Sequence, residues 1–336
     1  MLILALESSC DETAAAVVKD GRTVLSSVIA SSAEMHAIYG GVVPEIASRK
    51  HVEAIVPLVD EAMKQADVAK TDLDAVAVTY APGLIGAVLV GVNFAKSVAH
   101  ALNLPLIPVH HVRGHIAANY LTHPDLEPPF ICLCVSGGTT AIVHVKSYTE
   151  MEVLGATRDD AAGECFDKTA RVLGLGYPGG GPMDKLSQTG DDTRYTFPRA
   201  NVHDHKLDMS FSGLKTAVLN LIHNSEQKGE QLNLPDLAAS FSAAVSDSLI
   251  PRVMEAVNMT GCKRVAAAGG VAANSRIRAD LEHACARCGC KLWLPDLKLC
   301  GDNAAMIGCQ GYYEFLAGNT AGMDLNAYAT REIDRG

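Results

Sequence analysis

The chain has 336 residues, of which 48% are hydrophobic and 5% aromatic, and its formal net charge is −10. This length favours two domains that fold without disulfide or metal staples, and the abundance of small aliphatic residues is typical of tightly packed α/β layers. Because of this negative charge, the molecule as a whole does not attract nucleic acid electrostatically, so any RNA contact needs a local basic patch or a partner.

Membrane and export segments are not expected. The most apolar run, residues 84–102, is interrupted by Asn93, Lys96 and His100, which disfavours a membrane span. The N-terminus lacks a basic segment followed by a cleavable apolar region. We therefore predict a cytoplasmic protein without a membrane partner, whose ten cysteines are reduced thiols.

The first elements predicted are three short strands, at residues 2–6, 14–18 and 23–30. The turn between the first two strands carries Asp11 and Glu12 beside several hydroxyl side chains. A solvated turn is the simpler interpretation. Against it, two acids in one tight turn after a buried strand are costly unless a ligand lies nearby, so both are candidate catalytic residues.

Residues 45–66 show the periodicity of an amphipathic helix, and residues 74–79 are predicted to form a strand. A turn with two glycines, residues 81–86, then opens a long apolar helix that ends at Leu102. Glycines at a strand-to-helix turn let the backbone approach a ligand. Tight packing of the helix on the sheet explains them equally well.

Two histidines follow the next predicted strand, residues 104–109. His111 and His115 are four residues apart, a spacing that places two imidazoles on one helix face, where they can share a cation. Buried histidines satisfied by backbone groups are the alternative. Val112 follows His111, so the His-Glu-x-x-His pattern of zinc peptidases, with its water-activating Glu, is absent.

Residues 122–129 are interpreted as the crossover between two domains. The first domain, residues 1–125, carries the histidine helix, and the second, residues 126–336, carries glycine-rich loops. We expect the final helix to pack back on the first domain.

The second domain opens like the first, with strand 130–135, a Ser-Gly-Gly turn and strand 141–145. This echo predicts an internal duplication with one ligand loop in each half and a cleft between the halves. The glycines let backbone N–H groups line up against phosphate oxygens.

A strand at 151–157 and a helix at 161–173 come next, followed by an irregular glycine-rich loop at 177–182. Asp167 and Asp184 flank this loop and, with Gly180, are candidates to line the cleft. A helix surface beside a mobile loop is the alternative. Helices beginning at 212 and 235 then lead to a strand at 264–268.

The sequence GGVAAN at 269–274 joins that strand to a helix beginning at Ser275, an arrangement that suits an adenosine or phosphate site. The last strand, 291–294, precedes Asp302 and the final helix. Asp302 is either the N-cap of that helix or a third ligand for the two histidines, closing the cleft from the second half.

Three cysteines cluster before the last strand, at Cys285, Cys288 and Cys290. The second pair of a Cys-x-x-Cys…Cys-x-x-Cys pattern is missing, so buried thiols at a helix end explain the cluster better than a metal does.

Motifs along almost the whole chain resemble those of one family. They are ESSCDET at 7–13, GGVVPE at 40–45, PGL at 82–84, HHVRGH at 110–115, VSGG at 135–138, DDAAGE at 159–164, FSGLK at 211–215, GGVAAN at 269–274 and DN at 302–303. Together they resemble the TsaD family, also called Gcp or YgjD, the catalytic subunit of tRNA N6-adenosine threonylcarbamoyltransferase.

The resemblance implies a duplicated actin/sugar-kinase-like (ribonuclease H-like) α/β fold with an interdomain cleft. It implies that His111, His115 and Asp302 hold one divalent metal ion, iron or else zinc. It also implies that threonylcarbamoyl-AMP is bound by Val135, Ser136, Gly137, Gly138, Thr139, Asp167, Gly180, Asp184 and Asn274.

Family members transfer the threonylcarbamoyl group to N6 of the adenosine beside the anticodon in tRNAs that read ANN codons, and release AMP. Bacterial members work with TsaB and TsaE on an adenylate supplied by a TsaC-type synthase. The alternatives for this chain are an ATP-dependent small-molecule kinase or ATPase of the same fold, and a non-catalytic nucleotide-binding scaffold.

The chain departs from the family pattern at two positions. Thr139 stands where the family has His in its Ser-Gly-Gly-His-Thr motif, so the role of that His is not carried over. The loop at 179–182 has one extra glycine, so the residue that matches the family's substrate-binding glycine is Gly180 or a glycine one position away.

Overall fold

The computed structural model describes residues 1–199 and 205–335, and the chain forms two compact units. The first unit comprises Met1–Pro128, Val145–Glu152 and Pro295–Gly336. The second comprises Pro129–His144 and Val153–Leu294. The chain therefore enters the second unit at Pro129, contributes the short segment Val145–Glu152 to the first unit, and returns to the first unit at Pro295.

Each unit contains a five-stranded sheet. The first sheet is built from β1 Leu2–Glu7, β2 Glu12–Lys19, β3 Thr23–Ser31, β4 Ala75–Ala81 and β5 Leu106–His110. The second is built from β6 Phe130–Val135, β7 Thr140–Val145, β8 Met151–Ala156, β9 Arg264–Ala268 and β10 Lys291–Trp293. The strand orders are β3-β2-β1-β4-β5 and β8-β7-β6-β9-β10, so the order repeats and the predicted duplication is confirmed.

Ten α-helices accompany the sheets in the described part of the chain. They are α1 Ala33–Ala37, α2 Pro44–Ala66, α3 Ile85–Leu102, α4 His111–Thr122, α5 Ala162–Val172, α6 Gly180–Ser187, α7 Ser212–Lys228, α8 Leu234–Thr260, α9 Ser275–Cys288 and α10 Ala304–Leu316. The predicted irregular loop at 177–182 is wrong in its second half, because α6 begins there. Three glycines in four residues hide that helix from periodicity.

In the first sheet, β1 pairs antiparallel with β2 and parallel with β4. Strand β1 is almost wholly apolar because helices cover both faces of the sheet. Helices α2 and α3 pack on one face, and α4 and α10 pack on the other.

Helix α10 lies very close to the first sheet because its glycines leave no side chain in between. A Cβ on Gly308 would come within 2.6 Å of Val18, and one on Gly311 within 2.8 Å of Ala77. This packing places Asp302, just before α10, in the same unit as the two histidines. Asp302 therefore belongs to the first unit, although it lies in the second half of the sequence.

Helix α3 is long and apolar enough, by length and composition alone, to cross a membrane, although only a third of it is buried. Its buried residues repeat at helical spacing: Val88, Val92, Ala95 and Ala99 all join the core cluster of the first sheet. A helix that covers a sheet in this way passes the same test, so the finding is weak support for a membrane span.

The second unit has one large core cluster. Phe166 on α5 and Phe197 both meet Phe241 on α8 edge to face, and apolar residues of β6 and β9 lie in the same cluster. This core fixes α5, α6 and the β9–α9 loop around the glycine-rich turn that follows β6.

Candidate metal centre and nucleotide cavity

The two histidines lie on α4, which begins directly after β5. The side chain of His110 accepts a hydrogen bond from the backbone N–H of Val112 and so caps the first turn. Because the helix begins at His111, His111 and His115 are one turn apart, and their ring centroids are 4.6 Å apart. The predicted helical spacing of the pair is confirmed.

Asp302 faces both imidazoles. Its Oδ1 lies 3.5 Å from Nε2 of His111 and 3.3 Å from Nε2 of His115. Asn303, not Asp302, caps α10, since its side chain accepts from the N–H of Met306. The N-cap alternative for Asp302 is therefore excluded. One ligand atom from each of the three residues lies within 4.8 Å of the others.

The chemistry of this cluster fits a cation. His115 is 2% exposed, and neither of its ring nitrogens makes a hydrogen bond of normal geometry, although Nε2 lies 3.3 Å from Asp302. Leaving a buried polar atom unsatisfied costs about 1–3 kcal/mol, which a bound cation would remove. Ligands at 2.0–2.2 Å around a tetrahedral ion are about 3.4 Å apart, close to the 3.5 and 3.3 Å that separate Asp302 from the two histidines. Two imidazoles and a carboxylate suit a divalent transition metal.

A further carboxylate, Glu7 at the end of β1, lies behind His111. Its Oε2 is 2.9 Å from Nδ1 of His111. Burial raises the pKa of Glu7, but the facing His111 and the hydrogen bonds outweigh burial and hold that pKa below its ordinary value. Sequence reasoning missed Glu7, although an acid that ends the apolar strand LILALE was the available signal.

The imidazoles and carboxylates also set one another's protonation. Burial lowers the pKa of His111, but Glu7 and Asp302 outweigh it and raise that pKa to about 9. Burial likewise raises the pKa of Asp302, but His111 and His115 overcome it and bring the value to about 2. A cation that binds here therefore competes with a proton.

The turn with Asp11 and Glu12 belongs to the same unit and is half-buried. Burial, and then the charge of Asp11, raise the pKa of Glu12 to about 8. Ser31 Oγ donates to Glu12 Oε1 over 2.9 Å. Such a carboxyl is poised to exchange a proton near neutral pH.

A buried histidine on α2 braces this acidic turn. His51 Nε2 lies 2.9 Å from the carbonyl oxygen of Cys10, and its Nδ1 lies 2.7 Å from Thr13 Oγ1. Donation from Nε2 to the carbonyl leaves Nδ1 to accept from the hydroxyl. The turn is thus held on both sides of its two acids.

A cavity of about 300 Å³ lies in the second unit. Its lining residues are Gly137, Gly163, Phe166, Asp167, Pro178, Gly180, Gly181, Asp184, Gly270, Val271, Ala273 and Asn274. The volume is at the lower end of small-molecule sites. Sequence reasoning did not single out Phe166, whose ring forms an apolar part of the cavity wall.

Five residues predicted to bind the substrate line this cavity: Gly137, Asp167, Gly180, Asp184 and Asn274. The other four, Val135, Ser136, Gly138 and Thr139, belong to β6 and the turn beside it.

The turn after β6 is closed by its own hydrogen bonds. Ser136 N–H donates to the carbonyl of Thr139 over 2.8 Å, and Thr139 N–H donates to Ser136 Oγ over 3.1 Å. The backbone of Thr139 therefore shapes the turn whichever side chain stands there.

Two carboxylates hold the walls of the cavity. Asp167 accepts from the N–H of Gly179 over 2.7 Å, and Asp184 accepts from the N–H and hydroxyl of Ser275 over 3.0 and 2.8 Å. Asn274 caps α9 by accepting from Ile277 N–H. The starts of α6 and α9 thereby both border the cavity, and helix N-termini favour anions such as phosphate.

The cysteine cluster gathers no metal-binding group. Among the described residues, the grouping of His, Cys, Asp and Glu at metal-binding distance is the one at His111, His115 and Asp302. Cys285 is buried, whereas Cys288 is exposed. The interpretation of Cys285, Cys288 and Cys290 as thiols at a helix end is the better one.

A profile of the TsaD family, described as tRNA N6-adenosine threonylcarbamoyltransferase, matches residues 23–309. The chain belongs to the TsaD family. Two relatives are named tRNA N6-adenosine threonylcarbamoyltransferase, one from Clostridium perfringens (strain SM101) and one from Clostridium botulinum (strain 657). Each is 54% identical over 97% of this chain and 96% of its own length.

Solved structures confirm the fold. The (R)-2-hydroxyglutaryl-CoA dehydratase component A of Acidaminococcus fermentans is 16% identical, covers 94% of this chain and 98% of its own, and superposes with a TM-score of 0.55. HypF from T. kodakarensis is 15% identical, with a TM-score of 0.63 over 96% of this chain and 49% of its own. The architecture of this TsaD family member is the predicted actin/sugar-kinase-like fold.

Proposed function

We propose that this chain transfers the threonylcarbamoyl group of threonylcarbamoyl-AMP to N6 of the adenosine beside the anticodon in tRNAs that read ANN codons. Membership of the TsaD family makes it an acyltransferase that acts on tRNA. The observation that carries the proposal is the match to named threonylcarbamoyltransferases over 97% of the chain.

The cavity of the second unit supports binding of the acyl nucleotide. The glycine-rich walls of the cavity and the N-termini of α6 and α9 suit the phosphate. Phe166 and Val271 offer apolar surface to the adenine. We assign nucleotide binding to Gly137, Asp167, Gly180, Asp184 and Asn274. The predicted roles of Val135, Ser136, Gly138 and Thr139 then lie in shaping the turn.

The transfer forms one bond and breaks another. The N6 lone pair attacks the carbamoyl carbonyl carbon, the bond from that carbon to the phosphate oxygen breaks, and AMP leaves with the electron pair. N6 loses one proton, which we assign to the carboxylate of Glu12 or Asp11. Backbone N–H groups of the glycine-rich turn stabilise the negative charge of the leaving phosphate.

We assign one divalent metal ion to His111, His115 and Asp302, and favour iron over zinc. When bound, the ion supplies Lewis-acid polarisation of a substrate oxygen. Imidazole and carboxylate ligands accept either metal. Anaerobic reconstitution of metal-free protein with Fe²⁺ or with Zn²⁺, followed by turnover measurements, tests the choice, and higher turnover with Zn²⁺ would reverse it.

The resemblance to bacterial TsaD proteins extends the proposal to partners. We assign TsaB and TsaE as subunits and a TsaC-type synthase as the supplier of the adenylate. We assign the cytoplasm as the compartment, since the adenylate and tRNA meet there. A chain with a net charge of −10 gains from partners that contribute basic surface.

The deciding experiment supplies the purified protein with TsaB, TsaE, a TsaC-type synthase and an unmodified ANN-reading tRNA. We expect mass spectrometry of digested nucleosides to show threonylcarbamoyladenosine, with one AMP released per modification. Omission of this chain should abolish the product. Absence of the modified nucleoside, together with phosphorylation of a small-molecule panel, would instead establish a kinase.

A further inference from the structure

We propose that Glu7 is a positioning residue of the metal centre, whose buried carboxylate fixes the His111 ring in the tautomer that presents the Nε2 lone pair to the cation. The inference rests on the proposed metal site. Glu7 is no ligand itself, because its carboxylate faces the opposite edge of the ring.

The carboxylate of Glu7 is buried and is held in place by three hydrogen-bond donors. Glu7 is 1% exposed and ends the apolar strand β1. Its Oε1 accepts from the backbone N–H of Ser9 over 2.5 Å. Its Oε2 accepts from Thr79 Oγ1 over 2.5 Å and from His111 Nδ1 over 2.9 Å. Three donors from β4, α4 and the acidic turn thus converge on one carboxylate.

This arrangement determines which nitrogen of His111 carries the proton. A carboxylate only accepts, so Nδ1 must be the donor, and a neutral ring then keeps its lone pair on Nε2. Nε2 is the atom that lies 3.5 Å from Asp302. Ser9 Oγ also lies 3.2 Å from Nδ1, but a hydroxyl rotates to suit either tautomer and does not fix it.

A glutamine at position 7 would move the proton of the neutral His111 ring from Nδ1 to Nε2. The N–H of Ser9 is a fixed donor, so the amide of Glu7→Gln must turn its oxygen toward Ser9. Its NH₂ then faces Nδ1 of His111, which has to accept, and the proton moves to Nε2. The lone pair needed by the cation is lost although the side chain keeps its size and shape.

The molecule provides a matched control in Glu314 on α10. This carboxylate is 3% exposed and also accepts from three donors, Arg113, Gln310 and Asn319. It reaches α4 between the two histidines in sequence, but it bonds neither imidazole. Glu314→Gln therefore reports the cost of altering a buried carboxylate beside α4 without touching a metal ligand.

The test measures Zn²⁺ affinity of the metal-free proteins by competition with a chromophoric chelator. For Glu7→Gln we expect affinity to fall roughly 10- to 100-fold, the range for residues that orient metal-binding histidines. For Glu314→Gln we expect affinity equal to wild type, even where thermal stability drops. The ¹⁵N shifts of His111, recorded in metal-free protein at a pH where the ring is neutral, should show the proton on Nδ1 in wild type and on Nε2 in Glu7→Gln.

Equal Zn²⁺ affinity in wild type and Glu7→Gln would overturn the role of Glu7 and leave the proposed function standing. Absence of Zn²⁺ and Fe²⁺ binding by wild type would instead remove the metal centre itself. If Glu7→Gln does not fold, Glu7→Asp takes its place. It keeps the charge but withdraws the carboxylate by one methylene, and an affinity equal to wild type would again overturn the inference.

Discussion

The two units share one strand order, yet the turns after their first strands differ in chemistry. The turn after β1 carries Asp11 and Glu12 and is braced from outside by His51 and Ser32. The turn after β6 consists of small residues and closes on itself between Ser136 and Thr139. A duplicated framework has thus kept the position of the turn and changed its use.

The two turns also differ in the free space around their glycines. A Cβ on Gly83, beside the first turn, would come within 2.6 Å of the carbonyl oxygen of Ser9. A Cβ on Gly137 or Gly138, within the second turn, would meet nothing within 4 Å. The first turn is packed to hold charged side chains still, and the second leaves room for a ligand to approach the backbone.

The largest expected effect concerns the acid of the first turn. If Glu12 accepts the N6 proton, Glu12→Gln should lower the turnover number roughly 10²- to 10⁴-fold. Wild-type turnover should rise with pH up to the pKa of Glu12, about 8, and this limb should vanish in the variant. The exposed Glu61→Gln serves as control. A variant that retains the same pH profile would assign the proton to another group.

The raised pKa of Glu12 also predicts a stability effect. The folded protein holds a proton on Glu12 that the unfolded chain, with its ordinary value of 4.5, has released. The stabilisation is therefore complete below pH 4.5 and is lost as pH rises through about 8. Chemical denaturation across this window should show wild type losing stability relative to Glu12→Gln, whereas parallel curves would contradict the burial of a protonated acid.

The next effect concerns the proposed metal site at His111, His115 and Asp302, which has no counterpart in the second unit among the described residues. Asp302→Ala should lower metal affinity by more than about 100-fold, beyond the effect of an orienting residue. Metal analysis after dialysis and tRNA nucleoside mass spectrometry measure the loss. The exposed Asp324→Ala provides the comparison, and full metal content in Asp302→Ala would refute its role as a ligand.

A smaller effect is expected from filling the cavity of the second unit. Gly137→Val should weaken AMP binding by about 1–3 kcal/mol, or roughly 5- to 150-fold, because the side chain enters the ligand space. Thermal stability should change little, since a Cβ at this position meets no atom within 4 Å. Calorimetric titration with AMP tests this. Gly213→Val, at an exposed glycine outside the cavity where a Cβ also meets nothing within 4 Å, should bind AMP normally, and equal losses in both variants would argue against the site.

The smallest effects distinguish the braced turn from the closed one. Thr13→Val leaves a buried nitrogen of His51 without its donor and should cost about 1–3 kcal/mol of unfolding free energy. Ser136→Ala removes a half-buried acceptor and should cost only about 0.5–1.5 kcal/mol. Urea unfolding of the two variants gives the difference, and the reverse ranking would mean that His51 does not brace the acidic turn.

Sequence reasoning predicted the strands, the duplication and the histidine pair because each depends on local pattern. The alternation of apolar strands with glycine-rich turns repeats in both halves, and the four-residue spacing of His111 and His115 needs only a helix. These features follow from the geometry of single elements.

The rest depends on long-range packing, which local pattern does not record. The unit to which Asp302 belongs is decided by the close fit of α10 on β1, β2 and β4. The part proposed for Glu7 depends on its contacts with Thr79 and His111, which are distant in sequence. Helix α6 was missed because its stability comes from contacts with α8 and α5 rather than from helix propensity.

The return of the chain to its first unit has a consequence for biosynthesis. During translation His111 and His115 leave the ribosome early, whereas Asp302 emerges only after the whole second unit has been made. A nascent chain stopped before Asp302 would present two imidazoles and a sheet face that α10 does not yet cover, without the third candidate ligand. If the proposed metal site is correct, its three ligands come together only after translation has passed residue 302, so the site is completed after the second unit has been synthesised.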